Sequence, residues 1–127
     1  MKNVKFYVCE HCGNLVEMVE DRGVKPVCCG ETMKELVPNT VEASGEKHTP
    51  VVNVEDNKVV VNVGSVDHPM GAEHNIGWVA LQTDRGVYRK YLAVDGAPKA
   101  EFLLADEKPV AVYAWCNLHG LWKTELN

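Results

Sequence analysis

The sequence predicts a mostly β protein in two parts: a short N-terminal segment stapled by cysteines, then an antiparallel β-sandwich or barrel. Three observations carry this. Four of the five cysteines fall within the first 29 residues of a 127-residue chain. β-branched and aromatic residues gather in short runs between turn residues, with no convincing helix-period segment. A stretch of proline, glycine and small polar residues at 37–45 reads as a linker between the parts. The length is that of about one ordinary domain, which leaves no room for a large enzyme with its own cofactor fold.

Residues 1–36 fall below the roughly 40 residues at which a chain usually folds unaided, so something must staple them. Strand-like pieces at 5–8 and 15–19 flank a turn at 9–13. That turn holds Cys9-Glu10-His11-Cys12, a C-x2-C knuckle, and Cys28-Cys29 follows after 15 intervening residues. Two thiolates spaced in this way can reach one ion from a tight turn, and Gly13 and Gly30 supply backbone freedom. Four thiolates favour a tetrahedral soft-metal site, zinc or iron, and ligand type alone does not choose between them. Metal binding would supply the folding free energy this segment lacks. Adjacent cysteines reach one ion less comfortably than a second knuckle, so some distortion of the tetrahedron is expected. His11 is expected to face solvent.

Residues 46–127 carry a run of strand signals. They lie at 51–54, 58–63, 76–82, 87–94, 101–105 and 110–115, with a last strand at 121–125. Thr83-Asp84-Arg85-Gly86 reads as a hairpin turn. Strands at this spacing suggest a sandwich or barrel.

Lys plus Arg is 13 against 18 for Asp plus Glu, a formal net charge of -5. A general nucleic-acid binder is usually basic, so that class is disfavoured. No apolar run approaches the length that spans a bilayer. The first residues carry Lys2 and Lys5 but no long apolar core, which predicts no signal peptide and a cytoplasmic protein. An odd cysteine count and that compartment both argue against a disulfide framework.

The fifth cysteine and four of the five histidines lie in the second part. Cys116-Asn117-Leu118-His119 is a C-x2-H knuckle, a metal-ligand spacing. His68 and His74 share a loop with Pro69 and Gly71, and His48 stands just before Pro50. A lone loop histidine is usually a polar surface residue, and Cys116 alone could be an ordinary buried cysteine. Five convergent ligands point instead to a second metal site. Structural zinc normally closes at four ligands, whereas a His-rich set with one thiolate suits iron. Five protein ligands on an octahedral metal leave a sixth position open. Neutral imidazoles and one thiolate leave a ferrous centre at a charge of about +1 and a ferric one at about +2. The ligand expected there is a small anion.

These residues together resemble desulfoferrodoxin, the two-iron class of superoxide reductase: Cys9-x2-Cys12 with Cys28-Cys29, Glu46-Lys47-His48-x-Pro50, His68-Pro69-Met70, His74 and Cys116-Asn117-Leu118-His119-Gly120. The resemblance covers nearly the whole chain. It implies a desulforedoxin-like domain over 1–36 with a distorted iron–tetrathiolate centre, and an immunoglobulin-like β-sandwich over 46–127. It also implies a mononuclear non-heme iron with His48, His68, His74 and His119 equatorial and Cys116 axial, opposite the open position. The implied reaction is one-electron reduction of superoxide to hydrogen peroxide in oxidative-stress detoxification. A rubredoxin-type carrier would return the electron, and the protein would be a homodimer.

Two further residues have expected catalytic roles. Lys47, beside His48, would attract superoxide and order a proton-donating water. Its bland alternative is a solvated surface lysine. Glu46 can, by the resemblance, occupy the sixth position once the iron is oxidised; its alternative is an ordinary exposed charge. Three rival functions predict different chemistry. A superoxide dismutase would release oxygen, whereas reduction consumes an external electron. A small rubredoxin-like electron carrier has no need of the four histidines and Cys116. A zinc-stapled β-sandwich acting as a binding module would hold two colourless sites.

Overall fold

The computed structural model describes residues 4–126, and the chain divides between Val37 and Pro38 into two units. The first unit is built from five very short strands. They are β1 (Phe6–Val8), β2 (Leu15–Glu17), β3 (Val27–Cys28), β4 (Glu31–Thr32) and β5 (Lys34–Glu35). β1 lies between β2 and β5, and β3 pairs with β4 in a separate two-stranded ladder. Its buried apolar residues are Phe6, Tyr7, Cys9 and Met33, with Met18 and Cys28 packed against the cluster of the last three. So few apolar side chains cannot offset the ordering of some 30 residues, at about 1–2 kcal/mol of backbone entropy each. The unit needs its cysteines to do more than pack.

The second unit is a seven-stranded antiparallel sandwich. A three-stranded sheet has the order β10-β7-β6 and a four-stranded sheet the order β12-β11-β8-β9. The strands are β6 (Pro50–Glu55), β7 (Lys58–Val63), β8 (Ile76–Thr83), β9 (Val87–Tyr91), β10 (Lys99–Leu103), β11 (Pro109–Cys116) and β12 (Gly120–Glu125). Three strands facing four is the immunoglobulin-like division. Strict alternation explains the three-stranded sheet. In β7, Val59, Val61 and Val63 all point inward and are fully buried, each side chain contributing about 1.5–3 kcal/mol of transfer free energy. In β10, Ala100 and Phe102 also point inward and are buried. From the other sheet Ile76, Val79, Leu81, Val112, Ala114 and Cys116 close the core.

Several segments depart from regular pairing. The register of β8 with β11 slips between Trp115 and Cys116, so Cys116 faces Ile76 rather than Gly77. Such a bulge re-aims a side chain at a strand end. Residues 45–48, Gly45 to His48, form a single helical turn, α1, too short to leave a periodic signal. Asn39, at φ 63, is fastened to β12. Its N–H donates to the Leu121 carbonyl at 3.0 Å, its side-chain amide donates to the Lys123 carbonyl at 3.1 Å, and its side-chain oxygen accepts from the Lys123 N–H at 2.9 Å. The expected strand at 87–94 stops at Tyr91, because the chain turns through Asp95, at φ 66. The Gly96 N–H there returns to the Ala93 carbonyl. Among the described residues no helix is long and apolar enough to cross a membrane.

Candidate metal centres

Cys9 and Cys12 flank the turn after β1, and Cys28 and Cys29 lie at the β3–β4 turn. All four sulfurs fall within 4.8 Å of one another. Cys12 Sγ is 3.6 Å from Cys28 Sγ, and Cys28 Sγ is 4.0 Å from Cys29 Sγ. A tetrahedron with metal–sulfur bonds of about 2.3 Å has sulfur–sulfur edges of about 3.8 Å, so the cluster already has the required size. Consecutive side chains ordinarily diverge. Cys29 escapes this by taking φ 53, followed by Gly30 at φ 75, and the left-handed pair turns both thiols inward.

Backbone and side-chain N–H groups point at the sulfurs. The Cys12 N–H approaches Cys9 Sγ at 3.4 Å, the Asn14 N–H approaches Cys12 Sγ at 3.5 Å, and the Asn14 side-chain amide approaches Cys28 Sγ at 3.8 Å. The Cys12 N–H is the main reason the Cys9 thiol falls to about 6. Cys29 moves the opposite way, to about 12, because Cys12, Cys9 and Cys28 crowd it. One thiolate is therefore easily held and the next is resisted. A bound cation removes that conflict. His11 stays exposed and pairs with Glu31 rather than with the sulfurs.

The second cluster collects His48 from the end of α1, His68 and His74 from the loop between β7 and β8, and Cys116 from the end of β11. Their ligating atoms lie within 4.8 Å of one another. His119 joins them: its Nδ1 is 3.1 Å from His48 Nε2 and 3.9 Å from Cys116 Sγ. The four imidazoles form a square. Going round it, ring centroids are 4.6 Å apart for His48–His68, 4.6 Å for His68–His74, 5.1 Å for His74–His119 and 4.9 Å for His48–His119. Neighbouring rings are nearly perpendicular, at 75–85°. The diagonal pair His48–His74 is farther apart, at 6.3 Å, and tilted by only 35°.

The hydrogen bonds assign the tautomers. His48 donates from Nδ1 to the Ser44 carbonyl at 2.7 Å, and His68 donates from Nδ1 to the Pro69 carbonyl at 2.7 Å. Both Nε2 atoms are then bare lone pairs in the neutral rings. Yet they face each other at 3.1 Å. His74 Nε2 is buried and, among the described residues, is the buried side-chain nitrogen or oxygen without a partner. Lone pairs converging with no hydrogen between them repel, and an unpaired buried nitrogen is costly. A divalent cation at the centre satisfies every one of them. Burial keeps the rings neutral: it is the main cause of the lowering of His68 to about 4 and of His48 and His74 below the ordinary value. Burial also pushes the Cys116 thiol up, against the Leu118 and His119 N–H groups. That sulfur becomes a thiolate only with a positive partner. Four imidazoles and one thiolate in this arrangement fit an iron.

Glu46 and Lys47 sit on α1 with exposed side chains. Their backbone is held tightly. The Glu46 carbonyl accepts from the Val66 N–H at 2.9 Å and from the Ser65 hydroxyl at 3.2 Å. Gly64 packs beneath them: a Cβ there would collide with the Glu46 carbonyl oxygen and lie 2.7 Å from the Lys47 carbonyl carbon. After burial and the neighbouring histidines, the Lys47 charge also disfavours protonation of His48 and His74.

Residues absent from the sequence-derived site complete it. The Trp122 indole stacks on His48 at 4.8 Å and 26°, and its Nε1–H donates to the His119 carbonyl at 3.1 Å. Trp122 and Gly64 carry no local ligand signal. Asn117 does carry one, by standing inside the C-x2-H knuckle between two ligands.

Comparison with known proteins follows the same division. A desulfoferrodoxin family model matches residues 40–125, and a model of the desulfoferrodoxin N-terminal domain matches residues 2–36. The chain is 46% identical to desulfoferrodoxin of Nitratidesulfovibrio vulgaris over 121 residues, 95% of each chain. Its structure is similar to the superoxide reductase of Treponema pallidum, with TM-score 0.82 and 40% identity over 98% of this chain and 100% of that one. The one-iron superoxide reductase of Giardia intestinalis matches 65% of this chain and 98% of its own, at TM-score 0.56 and 30% identity.

Proposed function

The chain belongs to the desulfoferrodoxin family, and from that premise we propose that it is a superoxide reductase with two mononuclear iron centres. The observation that carries this is the square of imidazoles beside a buried thiol, with the bare Nε2 atoms of His48 and His68 converging at 3.1 Å and His74 Nε2 buried without a partner among the described residues. Cys9, Cys12, Cys28 and Cys29 hold one iron. His48, His68, His74, His119 and Cys116 hold the other. Iron bound in the second site would supply the electron that, with two protons, converts superoxide to hydrogen peroxide.

The residues of the chain do the rest. The His48 and His68 rings are locked by their carbonyl acceptors, and the Trp122 stack backs His48. Cys116 would hold the iron through a thiolate, whose electron donation would favour release of an anionic product. Lys47 attracts the superoxide anion to a protein whose net charge of -5 otherwise repels it. Lys47 also orders the water that gives the first proton. Glu46, on the same turn, would supply a carboxylate that assists departure of the product. The electron returns from a rubredoxin-type donor, the protein is a homodimer, and it works in the cytoplasm against oxidative stress.

The test is stoichiometric. Iron-loaded, reduced protein is mixed with superoxide, and peroxide and oxygen are counted. Reduction yields one peroxide per superoxide consumed and no oxygen. Oxygen release would mean dismutation and overturn the reading.

A further inference from the structure

Asn117 occupies the gap between the two ligands of its own knuckle, yet its N–H and both polar atoms of its side chain point to the loop that carries His74. β11 ends at Cys116, paired with Ile76. One residue further, the Asn117 N–H donates to the Asn75 carbonyl at 3.3 Å. The Asn117 side-chain oxygen accepts from the Asn75 N–H at 2.9 Å, and its side-chain amide donates to the Glu73 carbonyl at 2.9 Å. The residues on both sides of His74 are thus tied to the residue next to Cys116. Asn75 tightens the same loop from within, donating from its side chain to the Gly71 carbonyl at 2.9 Å and the Ala72 carbonyl at 3.4 Å.

The arrangement is specific to an asparagine. One amide must accept from one backbone group and donate to another two residues away, which neither Asp nor Ala can do. Asn117 is exposed, where an ordinary asparagine side chain would be solvated. The ladder between β8 and β11 has already ended there, so these bonds add nothing to the sandwich core. They fix instead the separation of His74 from Cys116.

We propose that Asn117 is a positioning residue that presets His74 against Cys116 before a metal enters. Among the described residues, His74 has no carbonyl acceptor of its own to lock its ring. The His48 and His68 rings are each locked by their own carbonyl acceptor, whereas His74 Nε2 is buried without a partner. The proposal rests on the assignment of the four histidines and Cys116 as metal ligands.

The test is cobalt(II) binding by the full chain, measured by competition with a chelator. Subtracting the spectrum of the Cys116→Ser protein isolates the band of the one-thiolate site from those of the tetrathiolate site. Asn117→Ala is expected to weaken cobalt at the one-thiolate site by about 10–100-fold, the usual effect of losing an outer partner of a ligand, and to move its thiolate band. Asn117→Asp keeps the acceptor for the Asn75 N–H and is expected to recover part of both. Melting of the metal-free variants establishes that they fold. Wild-type affinity and an unmoved band in Asn117→Ala would overturn the proposal. If the wild-type chain itself shows no band dependent on Cys116, the metal-site reading falls, and the clamp falls with it.

Discussion

Replacing Gly64 with alanine should cripple the reaction while leaving the β-sandwich folded. The added Cβ would collide with the Glu46 carbonyl oxygen and meet the Lys47 carbonyl carbon at 2.7 Å and the Glu46 carbonyl carbon at 2.9 Å. Ordinary contacts begin at 3.4 Å, so the turn bearing Glu46, Lys47 and His48 must retreat by about 1 Å, a displacement that can cost roughly 100-fold in rate at a reacting site. The obstacles are backbone atoms, not the far ends of flexible side chains, so rotamer changes cannot absorb the clash. The retreat also stretches the bonds from the Val66 N–H and the Ser65 hydroxyl to the Glu46 carbonyl. Overpacking of this kind costs about 1–3 kcal/mol, which the valine core of β7 can bear. The assay is the second-order rate with superoxide under pseudo-first-order conditions, alongside the spectrum of the oxidised one-thiolate site. Gly71→Ala is the matched control: it lies in the loop between His68 and His74, with nothing within 4 Å of its added Cβ. A Gly64→Ala protein with wild-type rate and spectrum would refute the argument that this glycine sets the position of Lys47.

Other substitutions test the remaining assignments. Cys116→Ser should remove the thiolate charge-transfer colour of the oxidised second site and abolish turnover; full activity would end the axial role. Lys47→Ala should slow the encounter with superoxide and flatten its dependence on ionic strength, and an unchanged second-order rate would leave Lys47 a surface lysine. Cys12→Ser should lose the tetrathiolate metal; if turnover with an external donor stays normal, that centre stabilises its unit or is auxiliary, and if turnover fails it relays electrons. Metal-free protein should lose stability in acid. His68 titrates at about 4 when folded and near 6.5 when unfolded, and His48 and His74 are lowered as well. The unfolded chain therefore binds more protons between those values, and stability falls as pH drops from about 6.5 to about 4. Urea melts across that window check this, and His68→Gln should flatten the slope; equal or greater stability in acid would contradict it.

The sandwich was legible because its strands obey local rules. The valines of β7 alternate, and the turn from Thr83 to Gly86 carries its own signal, so a run of strands follows without knowledge of their partners. Where the sequence reading fell short, the determinants were not periodic. β3, β4 and β5 are two residues each, too short for any period, and they exist because the four sulfurs gather the chain around them. α1 is a single turn held by the loop after β7, a contact between residues nearly 20 positions apart. The residues of the two clusters were legible from chemistry and spacing, since Cys-x2-Cys and Cys-x2-His place two candidate ligands on one turn. Gly64 and Trp122 were not, because a glycine shows its role only when another backbone lies against it, and a tryptophan only when a ligand lies beneath it. The bulge that turns Cys116 into the core is likewise a property of two strands together.

The most direct test of the account is the visible spectrum of the purified, iron-reconstituted protein during stepwise chemical oxidation. The account predicts two chromophores: one rich in thiolate-to-iron transitions from the tetrathiolate centre, and a second that appears only on oxidation and depends on Cys116. A protein that binds iron at neither site and stays colourless throughout would contradict it.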